Sequence, residues 1–282
     1  MKKPLVPIRD DRSEFPSVDR APFFLGMLED FGVDFRGKRI VDLGAGFGTI
    51  AMALARSGSD VAAIDAGERQ LDELKRRALN DGIELQVYSG NLISDALPVT
   101  DVDLALLVGV VEYAGMWSDT EPVEQLQVKV LKTALNTLRP GGTLVLCTKN
   151  RIWPVFAFRD VHTKLPLVNV LPRPIAEKLA RRLTGEPYRL YIHSPKKWQS
   201  LLHEAGFERS EVAYPYFSYQ YPVGISQKPA IRDFMKLQEP NDAPSLAYIT
   251  HGRFWKLKAV AMGLAHSIGV PFSNSVVIKA TK

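Results

Sequence analysis

The stretch Val41-Asp42-Leu43-Gly44-Ala45-Gly46-Phe47-Gly48-Thr49 decides how the rest of the chain is organised. It begins in an apolar run, Arg39–Leu43, with the length and branched side chains of a buried strand, and passes into a helical pattern over 49–57. Glycines at 44, 46 and 48 let the backbone turn sharply between the two and leave space for a ligand to approach without meeting a Cβ. In an open α/β sheet this turn lies at the carboxyl ends of the strands, where such sheets bind ligands. The spacing is GxGxG rather than GxGxxG, and no Gly-Lys-Ser/Thr follows it. The loop therefore argues against a nicotinamide, a flavin or a nucleoside triphosphate.

Outward from this loop the same rhythm repeats. Short apolar runs at 60–64, 84–88, 103–108 and 143–148 follow the first strand, separated by helical patterns at 49–57, 68–80 and 122–138, with a further helix expected at 21–31. Strands alternating with helices of this length imply a parallel sheet covered on both faces, and right-handed crossovers make it doubly wound. Past 148 the rhythm breaks. A helical patch at 175–183 stands among prolines, Ser194-Pro195 opens a helix over 196–205 that Gly206 stops, and strands are expected at 207–212 and 273–280. The fold expected is α/β, a doubly wound seven-stranded, mostly parallel sheet with two insertions, one after strand five and one after strand six. Connections this long in a compact domain usually carry function or structure of their own.

The 282 residues hold 46% apolar and 24% charged side chains, an ordinary globular composition. One cysteine, Cys147, excludes an intramolecular disulfide and Cys-based zinc or iron–sulfur sites, and the five histidines show no metal-ligand spacing. Neither a signal-peptide core nor an apolar run of about 20 residues is present, so a cytoplasmic chain is expected. Charge is uneven along the chain. Residues 1–150 hold 17 Lys/Arg against 22 Asp/Glu, whereas 151–282 hold 19 against 9 together with 17 of the 26 aromatics. An acidic front and a basic, aromatic back suggest different tasks, with an anionic partner or simply a solvated surface for the second.

Asp65 ends the second strand, seventeen residues beyond Gly48, where a carboxylate can accept hydrogen bonds from both hydroxyls of a ribose. With the loop 41–48, Asp65, Gly90-Asn91-Leu92, the segment 103–113 and Leu138-Arg139-Pro140-Gly141-Gly142 before a strand, the chain resembles a class I S-adenosylmethionine-dependent methyltransferase. The likeness covers about 35–150, then 195–212 and 273–280, and leaves both insertions outside. It implies S-adenosyl-L-methionine as cofactor and a Rossmann-like methyltransferase fold. It divides the chain into an N-terminal extension and helix (1–34), a cofactor-binding part (35–150), a substrate lid (151–194), a core helix and strand (195–212), a second substrate or interaction insertion (213–272) and a last core strand (273–282). Carried onto these positions, Asp42 would face the cofactor's amino group, and Gly44, Ala45, Gly46, Phe47 and Gly48 would pass beside its methionine part. Asp65 would hold the ribose, with Ala66 and Gln70 near the adenine. Asn91 would meet the adenine edge, Leu92 would pack on the ring, and Gly109 and Val110 would line the methyl donor.

Methyl transfer needs no metal, because the cofactor carries the reactive group, and a base is needed only where the nucleophile keeps its proton. The segment Gly109-Val110-Val111-Glu112-Tyr113 lacks the Asp/Asn-Pro-Pro-aromatic run of methyltransferases acting on base amines, so an oxygen acceptor is favoured. Many small-molecule members have a histidine where Tyr113 stands, and Glu112 is expected to be structural. The base candidates lie in the first insertion. His162 and Asp160 are two apart on a loop, so one can orient the other, although a pair fixing the lid would look the same. Arg151, Arg159, Arg173, Arg181 and Arg182 suit a phosphate or carboxylate, the last two more simply as the solvated face of a helix. The run Tyr214–Pro222 suits a sugar, a lipid, a base or a subdomain core, and 253–267, with Lys256 and Lys258, suits an anionic membrane surface, a dimer face or core packing. The function expected is O-methylation of a small or medium-sized, partly apolar acceptor: a lipid-linked sugar, a glycolipid, a quinone-like compound or a secondary metabolite, anionic or lipid-linked, with peripheral contact at the inner membrane surface as one setting. The alternatives are methylation of RNA, ranked lower because no RNA-binding module is present, and a non-catalytic cofactor-binding scaffold.

Overall fold

The computed structural model describes residues 20–216, 218–222, 224–228, 255–268 and 273–282. The loose start expected at 1–18 and most of the second insertion, including Arg253 and Phe254, lie outside the described residues. The elements run α1 (Ala21–Asp30), β1 (Arg39–Leu43), α2 (Thr49–Arg56), β2 (Asp60–Asp65), α3 (Glu68–Asn80), β3 (Gln86–Ser89) and β4 (Val102–Val108). A 3₁₀ turn (Val111–Trp117), α4 (Val123–Thr137) and β5 (Leu138–Lys149) follow. After them come α5 (Pro154–Phe158), α6 (Arg173–Thr184), α7 (Pro195–Ala205), β6 (Arg209–Pro215), β7 (Ile225–Ser226), α8 (Trp255–Ser267) and β8 (Ser275–Thr281).

The strands form one sheet in the order β3-β2-β1-β4-β5-β8-β6-β7. The first five are parallel, with β1 flanked by β2 and β4. β8 enters antiparallel between β5 and β6, pairing Thr143 with Thr281 on one side and Arg209 with Thr281 on the other. Among the described residues there are eight strands where seven were expected. The added one is the two-residue β7, which pairs with Tyr214 and Pro215. So short a strand has no periodicity to announce it in the sequence.

Alternation along the strands sends side chains to two separate cores. Val41 and Leu43 join Ala62, Ile64, Ala105 and Leu107 against α4 and α7. Ile40 joins Val61, Ala63, Leu104 and Leu106 against α1 and α2. The first insertion brings a small core of its own, in which Val168, Ala176, Ala180, Tyr188 and Tyr191 pack with Val123. α7 forms where its signals place it: Ser194 accepts a hydrogen bond from the Lys197 backbone N–H, Pro195 is the first helical residue, and Gly206 ends the helix at φ +108°. α6 extends the patch expected at 175–183 by a few residues, between the Pro172 entry and a left-handed Gly185.

Candidate functional site

At the carboxyl end of β1 the chain leaves the sheet through three left-handed glycines, Gly44 (φ +81°), Gly46 (φ +55°) and Gly48 (φ +73°). The bend is pinned to the neighbouring strand, because the N–H groups of Gly44 and Ala45 both donate to the Ile64 carbonyl, at 2.8 and 3.0 Å. A Cβ on Gly44 would collide with Val110, and one on Gly48 with Leu74, so glycine is required there by space as well as by φ. Beside Gly46 a Cβ would meet nothing within 4 Å, which marks the side of the loop that faces open space.

Asp65 meets this loop directly. Its Oδ2 accepts from the Gly46 N–H at 2.8 Å and its Oδ1 from the Gly67 N–H at 2.8 Å. Two backbone donors fix the carboxylate's orientation, and each oxygen keeps a lone pair for a further donor. Ala66 and Gln70 are half-buried beside it, and the Gln70 amide occupies the space a side chain at 67 would need. Asp42 is buried on β1. Desolvation pushes its carboxyl up to about 7, while the Arg20 charge and the Ala51 backbone N–H pull against that rise. Phe47 contributes its carbonyl to Arg77 at 2.7 Å. Asn91 turns its Oδ1 back to the Ile93 N–H at 2.9 Å, closing a local turn that leaves Leu92 packed on the core. The loop therefore fits an adenosyl ligand. A fixed carboxylate stands beside a glycine with free space, and a buried acid lies at the foot of the bend.

The second cluster lies at the carboxyl ends of β4 and β5. Gly109, at φ +68°, donates its N–H to the Cys147 carbonyl at 2.8 Å, and its Cα faces the Tyr219 hydroxyl so closely that no Cβ would fit. Glu112, in the 3₁₀ turn, is fully buried. Its Oε2 accepts from the Thr148 hydroxyl at 3.2 Å, its Oε1 has no hydrogen-bond partner, and burial pushes the carboxyl up to about 7. His162 reaches in from the first insertion. Its Nδ1 is 3.1 Å from the Tyr113 hydroxyl, and its Nε2, also without a partner, is 3.9 Å from Glu112 Oε1. Burial pushes His162 down to about 4, so its imidazole is uncharged at neutral pH and forms no ion pair with Glu112. Cys147, the lone thiol, is buried and pushed up, and is inert.

The expected pairing of His162 with Asp160 takes a different form. Asp160 is completely buried, but its Oδ1 accepts from the backbone N–H groups of His162 (3.1 Å) and Thr163 (2.6 Å) and from the Thr163 hydroxyl (2.7 Å). Its Oδ2 accepts from Asn169 (2.9 Å) and the Tyr188 hydroxyl (3.1 Å). A carboxylate two residues before an N–H closes a local turn more readily than it reaches a ring. Asp160 thus shapes the loop that presents His162, and Tyr113 is the group that meets the ring. Glu112, Thr148, Lys149 and Tyr219 complete the cluster. The sequence reading assigned Glu112 a structural part and gave Lys149 none, because a lysine ending a strand reads as surface.

Other candidates lie apart. Arg151 donates to the Asn169 and Leu171 carbonyls, and Arg173 stacks 4.0 Å over the Tyr191 ring. His193 is buried against Gln127 at 2.8 Å. A shallow polar depression lined by Arg39, Asp60, Gln86 and Thr100 sits at the amino ends of the strands, opposite the glycine loop and without a chemical group the reaction needs. On α8, Leu257 and Leu264 are exposed, while the side chains of Lys256 and Lys258 lie outside the described residues. No helix among the described residues is long and apolar enough to cross a membrane.

Comparison with known proteins adds the following. Residues 40–142 match a family described as a methyltransferase domain. Ubiquinone biosynthesis O-methyltransferase of Marinobacter nauticus is 29% identical over 170 residues, 58% of this chain and 66% of that protein. The enzyme of the same description from Aeromonas salmonicida is 30% identical over 144 residues, 50% of this chain and 56% of that protein. The matched stretch thus spans less than two thirds of these relatives. Among solved structures, an S-adenosylmethionine-dependent methyltransferase from Mesorhizobium loti is 20% identical, with a TM-score of 0.52 over 94% of this chain and 99% of that one. A methyltransferase from Thermotoga maritima, described as a possible histamine N-methyltransferase, is 17% identical, with a TM-score of 0.50 over 92% and 89%. At these identities the structural likeness is one of fold.

Proposed function

We propose that this chain, whose residues 40–142 match a methyltransferase domain, is a class I S-adenosylmethionine-dependent methyltransferase that moves a methyl group from S-adenosyl-L-methionine to a hydroxyl oxygen of a small or medium-sized, partly apolar acceptor. When bound, S-adenosyl-L-methionine supplies an electrophilic methyl on a sulfonium. Asp65, already oriented by two backbone N–H groups, holds the ribose hydroxyls. Asp42 offers a buried carboxyl to the amino group, and a cation arriving there draws its pKa down and favours the ionised form. Gly109 and Val110 border the methyl.

The observation that carries the oxygen assignment is the facing pair of unpartnered buried atoms, Glu112 Oε1 and His162 Nε2. Buried polar atoms without partners are rare, and a hydroxyl can serve both, donating to the carboxylate and engaging the imidazole. Glu112, held near neutrality by burial, is matched to receiving a proton at pH 7. His162, oriented by Tyr113 and carried by the Asp160 turn, fixes the hydroxyl in line. The aromatic side chains of Tyr113 and Tyr219 favour an acceptor with an apolar body. The O-methyltransferase relatives support the same atom class, and a quinone-like acceptor is the best match among those expected.

Calorimetry tests the premise. Wild-type protein binds S-adenosyl-L-methionine or its demethylated product, and Asp65→Ala weakens binding by about 2–4 kcal/mol through loss of charge-assisted hydrogen bonds. Failure of the wild type to bind either compound would remove the proposal.

A further inference from the structure

Lys149 ends β5 beside the Glu112–His162 pair and is only 7% exposed. Its ammonium lies 4.8 Å above the Tyr219 ring and feels the charge of the Glu112 carboxyl, which supports it. A buried lysine against an aromatic face is a costly arrangement, because a face-on ring replaces little of an ammonium's hydration. The same ring delivers its hydroxyl to Gly109, so Tyr219 spans the distance from the strand-four glycine to the lysine. A cation therefore stands within electrostatic reach of a carboxylate oxygen and an imidazole nitrogen that both lack a hydrogen-bond partner.

Building on the reading above, we infer that Lys149 is a catalytic residue that binds the acceptor oxygen as an oxyanion, so that the acceptor is an acidic hydroxyl methylated in its ionised form. The acceptor O–H gives its proton to Glu112 Oε1. The ionised oxygen pairs with the Lys149 ammonium and uses a lone pair to form the new bond to the methyl carbon, while the pair from the methyl–sulfur bond stays on sulfur. The ether so formed is neutral, and its hold on the lysine falls as the charge disappears. The charged and titratable groups around Lys149 fit this role. Glu112 from the 3₁₀ turn supports its charge, whereas Lys164 from the first insertion and burial oppose it, bringing the ammonium down to about 8. His162 faces the same space as a neutral ring, and the Tyr219 hydroxyl stays protonated because burial raises it. An oxyanion restores the missing counter-charge.

The test uses 4-hydroxyacetophenone, a phenol whose neutral and ionised forms absorb at different wavelengths, titrated on the full chain saturated with S-adenosylhomocysteine. The bound phenol is expected to ionise about one to three pH units below the free compound, as an opposite charge nearby dictates. Lys149→Met should abolish that shift with S-adenosylhomocysteine affinity unchanged, and Lys149→Arg should keep most of it. A bound phenol that ionises in wild type at its free pH, or at the same pH in wild type and Lys149→Met, overturns the inference. So does a wild type that binds S-adenosylhomocysteine but not the phenol. Should Lys149→Met fail to fold, the wild-type titration alone decides. Loss of S-adenosylhomocysteine binding by the wild type is a separate outcome, which removes the methyltransferase reading itself.

Discussion

The two ends of the cleft are built on opposite principles. Around the glycine loop the polar groups are already engaged: Asp65 is tied to Gly46 and Gly67, the Gly44 and Ala45 N–H groups to Ile64, Asn91 to Ile93. Around Gly109 they are not, and Glu112 Oε1 and His162 Nε2 lie buried with nothing to bond. The first end is organised before any ligand arrives and contributes affinity through a fixed frame. The second leaves its polar capacity for the reacting molecule. There each interaction gained is gained with the acceptor, and those that strengthen as charge moves accelerate the reaction.

The contrast breaks most visibly at Glu112. Glu112→Gln removes the proton acceptor while preserving shape, and turnover should fall by about 10²–10⁴-fold with cofactor affinity within about twofold of wild type. Equal losses in both quantities, measured by steady-state kinetics and calorimetry, would show that the two ends are not separable. Asp160 sharpens the distinction from the other direction, because it is engaged although it belongs to the acceptor side. Asp160→Ala strands four donors on His162, Thr163 and Asn169, and should cost about 3 kcal/mol in thermal unfolding with cofactor affinity retained. An unchanged unfolding temperature would assign it no part in shaping the lid.

The smallest expected effect concerns Asp42. Its folded pKa of about 7 lies above the usual carboxylate range, so its contribution to stability is complete below about 4 and is lost as pH rises through 7. Asp42→Asn, which carries no such penalty, should gain on wild type across that window in the ligand-free protein, with the gain levelling off above pH 7. Denaturant unfolding at pH 4, 6 and 8 measures the gap, and a gap that does not widen with pH would contradict the burial of a charge at this site.

Much of the first end could be read from sequence because its determinants are local. Left-handed glycines at 44, 46 and 48 and a carboxylate closing β2 are features of backbone and spacing, visible within a few dozen residues. The second end is assembled from distant segments. Lys149 is buried by Tyr219, seventy positions further on, and Glu112 meets His162 across fifty. Nothing local distinguishes a strand-end lysine that is covered from one that is solvated. The spacing of Asp160 and His162 did signal proximity, but the carboxylate found the backbone N–H first. β7 escaped notice because its two residues pair only where β6 already stands.

The placement of β8 bears on how the chain reaches this state. Both β5 and β6 wait for it as their common neighbour, and it is synthesised after both. During translation the five parallel strands can assemble, but β6 has no partner on its β5 side until 275–281 have left the ribosome. Ribosome-bound chains ending before 275 should therefore expose a live sheet edge, open to chaperones or to pairing with a neighbouring nascent chain.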